Sequence, residues 1–221
     1  FCITKSICEC FRFSGCSRGD SYSRSYSRNN KLRSLSSDLF CYNETMEKVL
    51  ITGGSEGIGL AFAKEYSKQK YHLFLAARSR DKLEKAAADI HHQYDVPVTV
   101  ISCDLSEAGT AEKLFAELEQ ENIDVLINNA GCGYAGEALK IDAAAEKNMI
   151  QLNISSLVTL TKLFGAQMTA RNSGTIVNVA STGAFQPGPY IASYYASKSF
   201  VLSYTRALKE ELKKTNVQIY C

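Results

Sequence analysis

No apolar run in this 221-residue chain approaches the ~18 residues that a membrane span requires, so no stretch reads as a transmembrane helix. Residues 46–221 also lack a surplus of charge of either sign. Of 25 basic and 23 acidic residues in all, seven and four fall in residues 1–45, which leaves 18 against 19 in the rest. A body so balanced is not a nucleic-acid surface by charge. Cysteine is sparse there too. Cys103, Cys132 and Cys221 lie too far apart for a disulfide framework, which favours a reducing compartment and a cytoplasmic location. The other five, Cys2, Cys8, Cys10, Cys16 and Cys41, sit in the first segment. A metal site on Cys8, Cys10 and Cys16 lacks a second close pair and a nearby His, so no metal is expected.

What is present is an ordinary globular composition, 45% hydrophobic and 22% charged, long enough for one large α/β domain with a sizeable core. Residues 1–45 show neither a two-residue nor a 3.6-residue period. Their Ser/Arg/Tyr-rich stretch 17–28 reads as disordered. Three readings compete for this segment. It is a targeting peptide, though it carries acids and no clear amphipathic helix; an RNA-binding or phosphorylated tract; or a non-native extension before a protein that begins at Met46. The last is favoured, and a chain opening on Phe1 rather than Met suggests a fragment.

From Met46 the pattern becomes regular. Strand-like runs at Val49–Thr52, Tyr71–Ala76, Val96–Cys103, Ile123–Asn128, Thr175–Ala180 and Val217–Cys221 alternate with helical runs at 58–69, 79–93, 106–121, about 144–171 and 194–213. Such alternation predicts a parallel sheet with helices on both faces and ligands at the carboxyl ends of the strands. The strands are apolar throughout, as expected when both faces are covered.

The first strand opens into Thr52-Gly53-Gly54-Ser55-Glu56-Gly57-Ile58-Gly59. A strand, a turn needing residues without a Cβ, and a helix N-terminus with bare amides suit a pyrophosphate. Gly53 supplies the tight turn, Gly57 the approach to ligand and Gly59 the close helix–strand packing; without other motifs the same pattern is only a strand–turn–helix. After the second strand, Ala77, Arg78 and Ser79 stand where an acid would hold a ribose 2′-hydroxyl and an Arg a 2′-phosphate. The balance favours NADP over NAD. The competing reading puts Arg78 on a solvated basic face with Arg80, Lys82 and Lys85, and Glu56 weighs against a phosphate. Asp104 and Leu105 follow the third strand, Asp104 either holding an adenine edge or, like Ser106, capping the next helix. Asn128-Asn129-Ala130-Gly131 follows the fourth, suited to bracing the central strand and admitting a ribose.

Asn153 falls in an apolar helical stripe with Met149, Leu157, Leu160 and Phe164. Its amide needs partners there, either a structural hydrogen bond or an ordered water. Tyr194 and Lys198 are four apart, on one helix face, with Ser181 after the fifth strand. A phenol is a poor acid–base catalyst at neutral pH, and a neighbouring ammonium favours the phenolate.

These motifs, Thr52 to Gly59, Asn128 to Gly131, Asn153, Ser181, and Tyr194 with Lys198, occur in order from about Met46 to Cys221. The body resembles the short-chain dehydrogenase/reductase family. The resemblance implies a Rossmann-like doubly wound parallel sheet in three layers, α/β/α, over 46–221, and hydride transfer between NADP or NAD and a small carbonyl or alcohol substrate. It implies Tyr194 as general acid/base and Ser181 as the group that positions the substrate oxygen. Lys198 would hold the nicotinamide ribose, and Asn153 a relay water. Gly53, Ser55, Gly57, Ile58, Gly59, Arg78, Ser79, Asp104, Leu105, Asn129, Ala130 and Gly131 would contact the cofactor. A homodimer or homotetramer is implied through the helices 144–171 and 194–213. Cys132, Tyr134, Phe185, Gln186, Pro187 and Tyr190 would face a substrate the sequence does not identify. Family members continue past the strand ending at Cys221 with a Pro-Gly turn, a substrate loop, a helix and a strand, so the chain by itself is expected to be inactive or weakly active, with its last strand an uncovered edge. The alternative is a cofactor-binding regulator on the same fold, against which the complete Ser181, Tyr194 and Lys198 set argues.

Overall fold

The computed structural model describes residues 46–221. The expectations for residues 1–45, disorder and the cysteine cluster included, lie outside the described residues.

The strands are β1 (Lys48–Thr52), β2 (His72–Ala77), β3 (Val98–Ser102), β4 (Val125–Asn128), β5 (Gly174–Asn178) and β6 (Val217–Tyr220). All pair in parallel, in the order β3-β2-β1-β4-β5-β6. The helices are α1 (Gly57–Lys68), α2 (Arg80–Tyr94), α3 (Thr110–Leu118), α4 (Ala143–Ile150), α5 (Leu157–Ala170) and α6 (Ala192–Glu211). The chain steps outward from β1 to β3 and then returns to lay β4 on the other side of β1. That reversal opens a crevice at the carboxyl ends of β1 and β4, where ligands of such sheets bind.

The central strands bury both faces. Leu50, Phe74, Leu126 and Ile176 form one core with Leu114 and Leu118 of α3 and Leu160, Phe164 and Met168 of α5. Val49, Ile51, Leu73, Leu75 and Ile127, the alternating set, are fully buried on the opposite face. The doubly wound three-layer sheet expected from the sequence is present. The expectation of strands apolar throughout fails at the edges: in β6 Val217 and Ile219 are buried while Gln218 is exposed, because an edge strand is covered less completely than a central one.

Two helices also depart from expectation. The run predicted to start at 106 becomes helical only at Thr110, after Gly109 in a left-handed conformation (φ 81°). Asp104 caps no helix; its carboxylate accepts from the Ser106 amide at 2.9 Å and the Ser106 hydroxyl at 2.6 Å, closing a separate turn. The long helix expected near 144–171 is α4 and α5 joined by a wider π-type turn, Gln151–Ser156. This turn carries Asn153, and the Ser156 hydroxyl donates to Leu105 O at 2.6 Å.

The glycine turn is fastened to β4. Thr52 Oγ1 accepts from the Asn129 and Ala130 amides, both at 3.0 Å. The Asn129 side chain donates to Thr52 O at 3.0 Å and Gly53 O at 3.2 Å. Gly53 has φ 66°, and α1 approaches so closely that a Cβ on Gly59 would lie 2.1 Å from Gly53 O and 2.6 Å from Asn129 Nδ2. Backbone on one side and a bonded amide on the other leave no room to yield. Gly59→Ala is therefore expected to cost about 1–3 kcal/mol, the usual range for overpacking, read as a lower urea midpoint with an unchanged slope; an unshifted midpoint would contradict this packing.

Candidate active site

A cleft of about 410 Å³ opens at the carboxyl ends of β1 to β4. Of the residues the sequence nominated, it is lined by Gly53, Ser55, Ile58, Ala77, Arg78, Ser79, Asp104, Leu105, Asn129, Ala130, Gly131, Cys132, Tyr194 and Lys198. Gly57, Gly59, Asn153 and Ser181 do not line it, nor do Tyr134, Phe185, Gln186, Pro187 and Tyr190. Gly57 has φ 58° with open space where a Cβ would stand, and Gly59 is buried in helix packing.

No side chain caps α1. Glu56 stands at the cap position without a capping bond, and the first turn contains no acid. The first amides of α1, beside the wall formed by Ser55, Glu56 and Ile58, have no side-chain cap, and such a terminus suits an anionic group. At this same terminus Glu56, counted against a phosphate, pairs with Lys82 (Nζ–Oε2 2.9 Å), and on α2 Arg80 pairs with Glu84 at 2.7 Å. Neither of these pairs involves Arg78. Arg78, exposed to solvent, shares one wall of the cleft with Ser79 and Lys82.

Lys198 is 4% exposed and lies on α6 one turn beyond Tyr194. Its Nζ donates to Val179 O at 2.8 Å and sits 5.9 Å from the centre of the Tyr194 ring. Burial pushes its pKa below the ordinary lysine value, against weaker opposing influences from Cys221 and Cys132. Tyr194 is half-buried and packs on the Gly133 backbone, where a Cβ would meet its ring at 2.8 Å. A Cβ on Gly131 would stand 3.1 Å from Asn153 Oδ1 and 3.3 Å from Lys198 Nζ, so the absence of one keeps the space between these groups open.

Asn153 is fully buried, and its hydrogen bonds are structural. Oδ1 accepts from the Cys132 amide at 3.0 Å, while Nδ2 donates to Cys132 O at 2.8 Å and to Ser197 Oγ at 3.1 Å. The amide thus clips the loop after β4 to the start of α6. Ser181 opens a short turn, Thr182–Phe185, its Oγ accepting from the Gly183 amide at 3.1 Å. As that bond uses a lone pair, the hydroxyl hydrogen remains to donate.

Sequence reasoning gave Thr52 no role beyond opening the glycine turn and Lys82 none beyond a solvated face, and it missed Cys103 and Val179 as parts of this region. Thr52 had a signal, a hydroxyl ending an apolar strand. Lys82 had one too, four residues beyond Arg78. Cys103 lines the cleft with its thiol pKa pushed up to about 11 by burial, with Glu117 and Asp104 adding to it. Among the described residues no group of three His, Cys, Asp or Glu could hold a metal ion, and no helix is long and apolar enough to cross a membrane.

Comparison with known proteins agrees with this geometry. The family model described as short chain dehydrogenase matches residues 47–221. A very-long-chain 3-oxoacyl-CoA reductase of Anas platyrhynchos is 35% identical over 173 residues, covering 76% of this chain and 55% of that protein. The Bos taurus protein of the same name is 32% identical over 175 residues, covering 77% and 56%. The chain thus spans about half the length of the curated relatives it matches. Among solved structures, a short-chain dehydrogenase from Sphingobium yanoikuyae in complex with NADPH superposes with a TM-score of 0.75 at 30% identity, covering 79% of this chain and 70% of that one. L-sorbose reductase from Gluconobacter frateurii, complexed with NADPH and L-sorbose, gives 0.73 at 28% identity, with 78% and 66% covered. With its sheet order, its glycine turn and its Tyr194–Lys198 helix matched over 47–221, the chain belongs to the short-chain dehydrogenase family.

Proposed function

We propose that the protein is an NADPH-dependent reductase of a carbonyl group, working reversibly on the corresponding alcohol, and that its substrate is a 3-oxoacyl thioester. The observation that carries the reading is the placement of Tyr194 and buried Lys198 on the wall of the cleft that the uncapped N-terminus of α1 enters from the other end. The relatives named as 3-oxoacyl-CoA reductases support the substrate class, and the NADPH in two similar structures supports the cofactor.

The residues fit such a cofactor. The α1 amides would receive the pyrophosphate, and Arg78 with Ser79 and Lys82 the 2′-phosphate. Asp104 and Leu105 border the space for the adenine. Asn129, Ala130 and Gly131 border a ribose whose hydroxyls Lys198 would hold. The bound nicotinamide supplies the hydride.

Around the substrate, the chain's task is to orient one oxygen and move one proton. Ser181 donates its free hydroxyl hydrogen to the carbonyl oxygen. Tyr194 gives that oxygen a proton during reduction and takes it back during oxidation. Lys198, charged and tied to Val179 O, favours the phenolate left behind. The regulator alternative leaves this set without a task.

A homodimer or homotetramer belongs to the same proposal, built on the outer faces of α5 and α6. Phe200, 41% exposed, stacks there on Tyr204 at 5.8 Å. The expected cytoplasmic location, from cysteine usage, is also part of it.

In the full-length protein, Tyr194→Phe is expected to lower the NADPH-dependent reduction of a 3-oxoacyl-CoA by about 10²–10⁴-fold, the range for losing a general acid, with NADPH affinity retained; an equal rate would exclude Tyr194 as the acid. Arg78→Ala is expected to weaken NADPH binding by about tenfold to a hundredfold, as for a lost charge-assisted hydrogen bond, and to leave NADH binding unchanged. Fluorescence titration with both nucleotides measures this, and parallel losses would remove Arg78 from the 2′-phosphate site.

A further inference from the structure

Tyr195, next to the proposed acid, does not line the cleft. Its half-buried ring is instead enclosed by two glycines. A Cβ on Gly183 would fall 2.8 Å from Tyr195 Cε1 and 2.9 Å from Cδ1, and one on Gly188 would fall 2.4 Å from Cδ2 and 2.6 Å from Cγ. These atoms are on opposite edges of the ring, and at both places only a residue without a Cβ lets the backbone come so near. Both glycines are buried and belong to the segment that starts at Ser181. The Gly183 amide is the donor to Ser181 Oγ. A second tie from α6 reaches the same turn, Ser199 Oγ donating to Ala184 O at 2.9 Å. The Ser181 hydroxyl is therefore located through Gly183, which rests on the Tyr195 ring. That ring is itself edge-on to Tyr194, with centroids 6.1 Å apart and planes at 60°.

We propose that Tyr195 is a positioning residue, whose ring, gripped by Gly183 and Gly188, sets the Ser181 hydroxyl at its working distance from the Tyr194 hydroxyl. The proposal rests on the reductase reading above. The contacts are made by ring carbons, so phenylalanine serves as well as tyrosine. Removing the ring frees the Ser181 turn and also takes away the edge contact on Tyr194, so exchange at Gly183 is the readout specific to the turn.

The test compares Tyr195→Phe, Tyr195→Ala, Gly188→Ala and Tyr194→Phe in the full-length protein. It reads kcat and KM with NADPH and a 3-oxoacyl-CoA, NADPH affinity by fluorescence, melting temperature, and hydrogen exchange at the Gly183 amide. Tyr195→Phe is expected to match the parent. Tyr195→Ala is expected to lower kcat by about tenfold to a hundredfold, the scale of a misplacement near 1 Å, with NADPH affinity unchanged and Gly183 protection lost. Gly188→Ala, intruding on the ring from its other edge, is expected to do the same and decides the matter if Tyr195→Ala does not fold. Parental kcat with Gly183 still protected in the folded variants overturns the proposal. So does a loss of kcat that only follows a parallel loss of NADPH affinity and melting temperature. If the parent does not turn over, the reductase reading fails instead, and if Tyr194→Phe keeps the parental rate Tyr194 is not the acid; in either case exchange at Gly183 still reports whether the ring holds the turn.

Discussion

The contact between the first turn of α1 and the carbonyl of Gly53 governs the geometry of the whole cleft. A helix normally stands off a strand by the thickness of its side chains. Here Gly59 removes that thickness, and the helix N-terminus is drawn in beside the end of β1. The Asn129 amide fills the same corner, donating to Thr52 O and Gly53 O. Thr52 returns the connection by accepting two amides from the segment after β4. One glycine, one threonine and one asparagine thus fix the N-terminus of α1 relative to the strand that leads to Gly131.

A second set of buried amides fixes the other wall. Asn128 Nδ2 donates to Thr161 Oγ1 at 3.0 Å and Asn178 Oδ1 at 2.9 Å, and Asn178 Nδ2 donates to Thr205 Oγ1 at 3.1 Å. Thr205 donates in turn to Val201 O at 2.7 Å. β4, β5, α5 and α6 are tied at the level where β5 leads to Val179 and Ser181. Each bond adds only about 1 kcal/mol net, whereas a buried polar group left without its partner costs about 1–3 kcal/mol. The network consequently specifies one arrangement more than it stabilises any. Such direction matters for Lys198, whose ammonium is buried and has Val179 O as its backbone acceptor.

Much of this was legible in the sequence because it depends on local chemistry at fixed spacing. The 3.6-residue period places Tyr194 and Lys198 on one face of α6, and glycines after an apolar strand announce the α1 turn. The central strands were legible because burial on both faces leaves runs without polar residues. The start of α3 was not, because Asp104 bonds the following Ser106 instead of a helix terminus, and both patterns look alike in sequence. Nor was the π-type turn at Gln151–Ser156: a stripe of apolar residues keeps its appearance when one turn widens. The partner of Asn153 was unreadable for a different reason. The Cys132 backbone is 21 residues away, and backbone acceptors leave no mark in residue type.

Parallel pairing imposes an order on how the molecule is made. β1 takes its neighbour β4 from far along the chain, with Val49 opposite Val125 and the Thr52 hydroxyl bonded to an amide 77 residues later. At ribosomal speeds of about 5–20 residues per second, that separation amounts to about 4–15 s of synthesis. The glycine turn consequently leaves the ribosome well ahead of the strand that clamps it, and during that interval β1 has only β2 beside it. A nascent chain in this state presents the inner edge of its future sheet to whatever chaperone or strand is nearby.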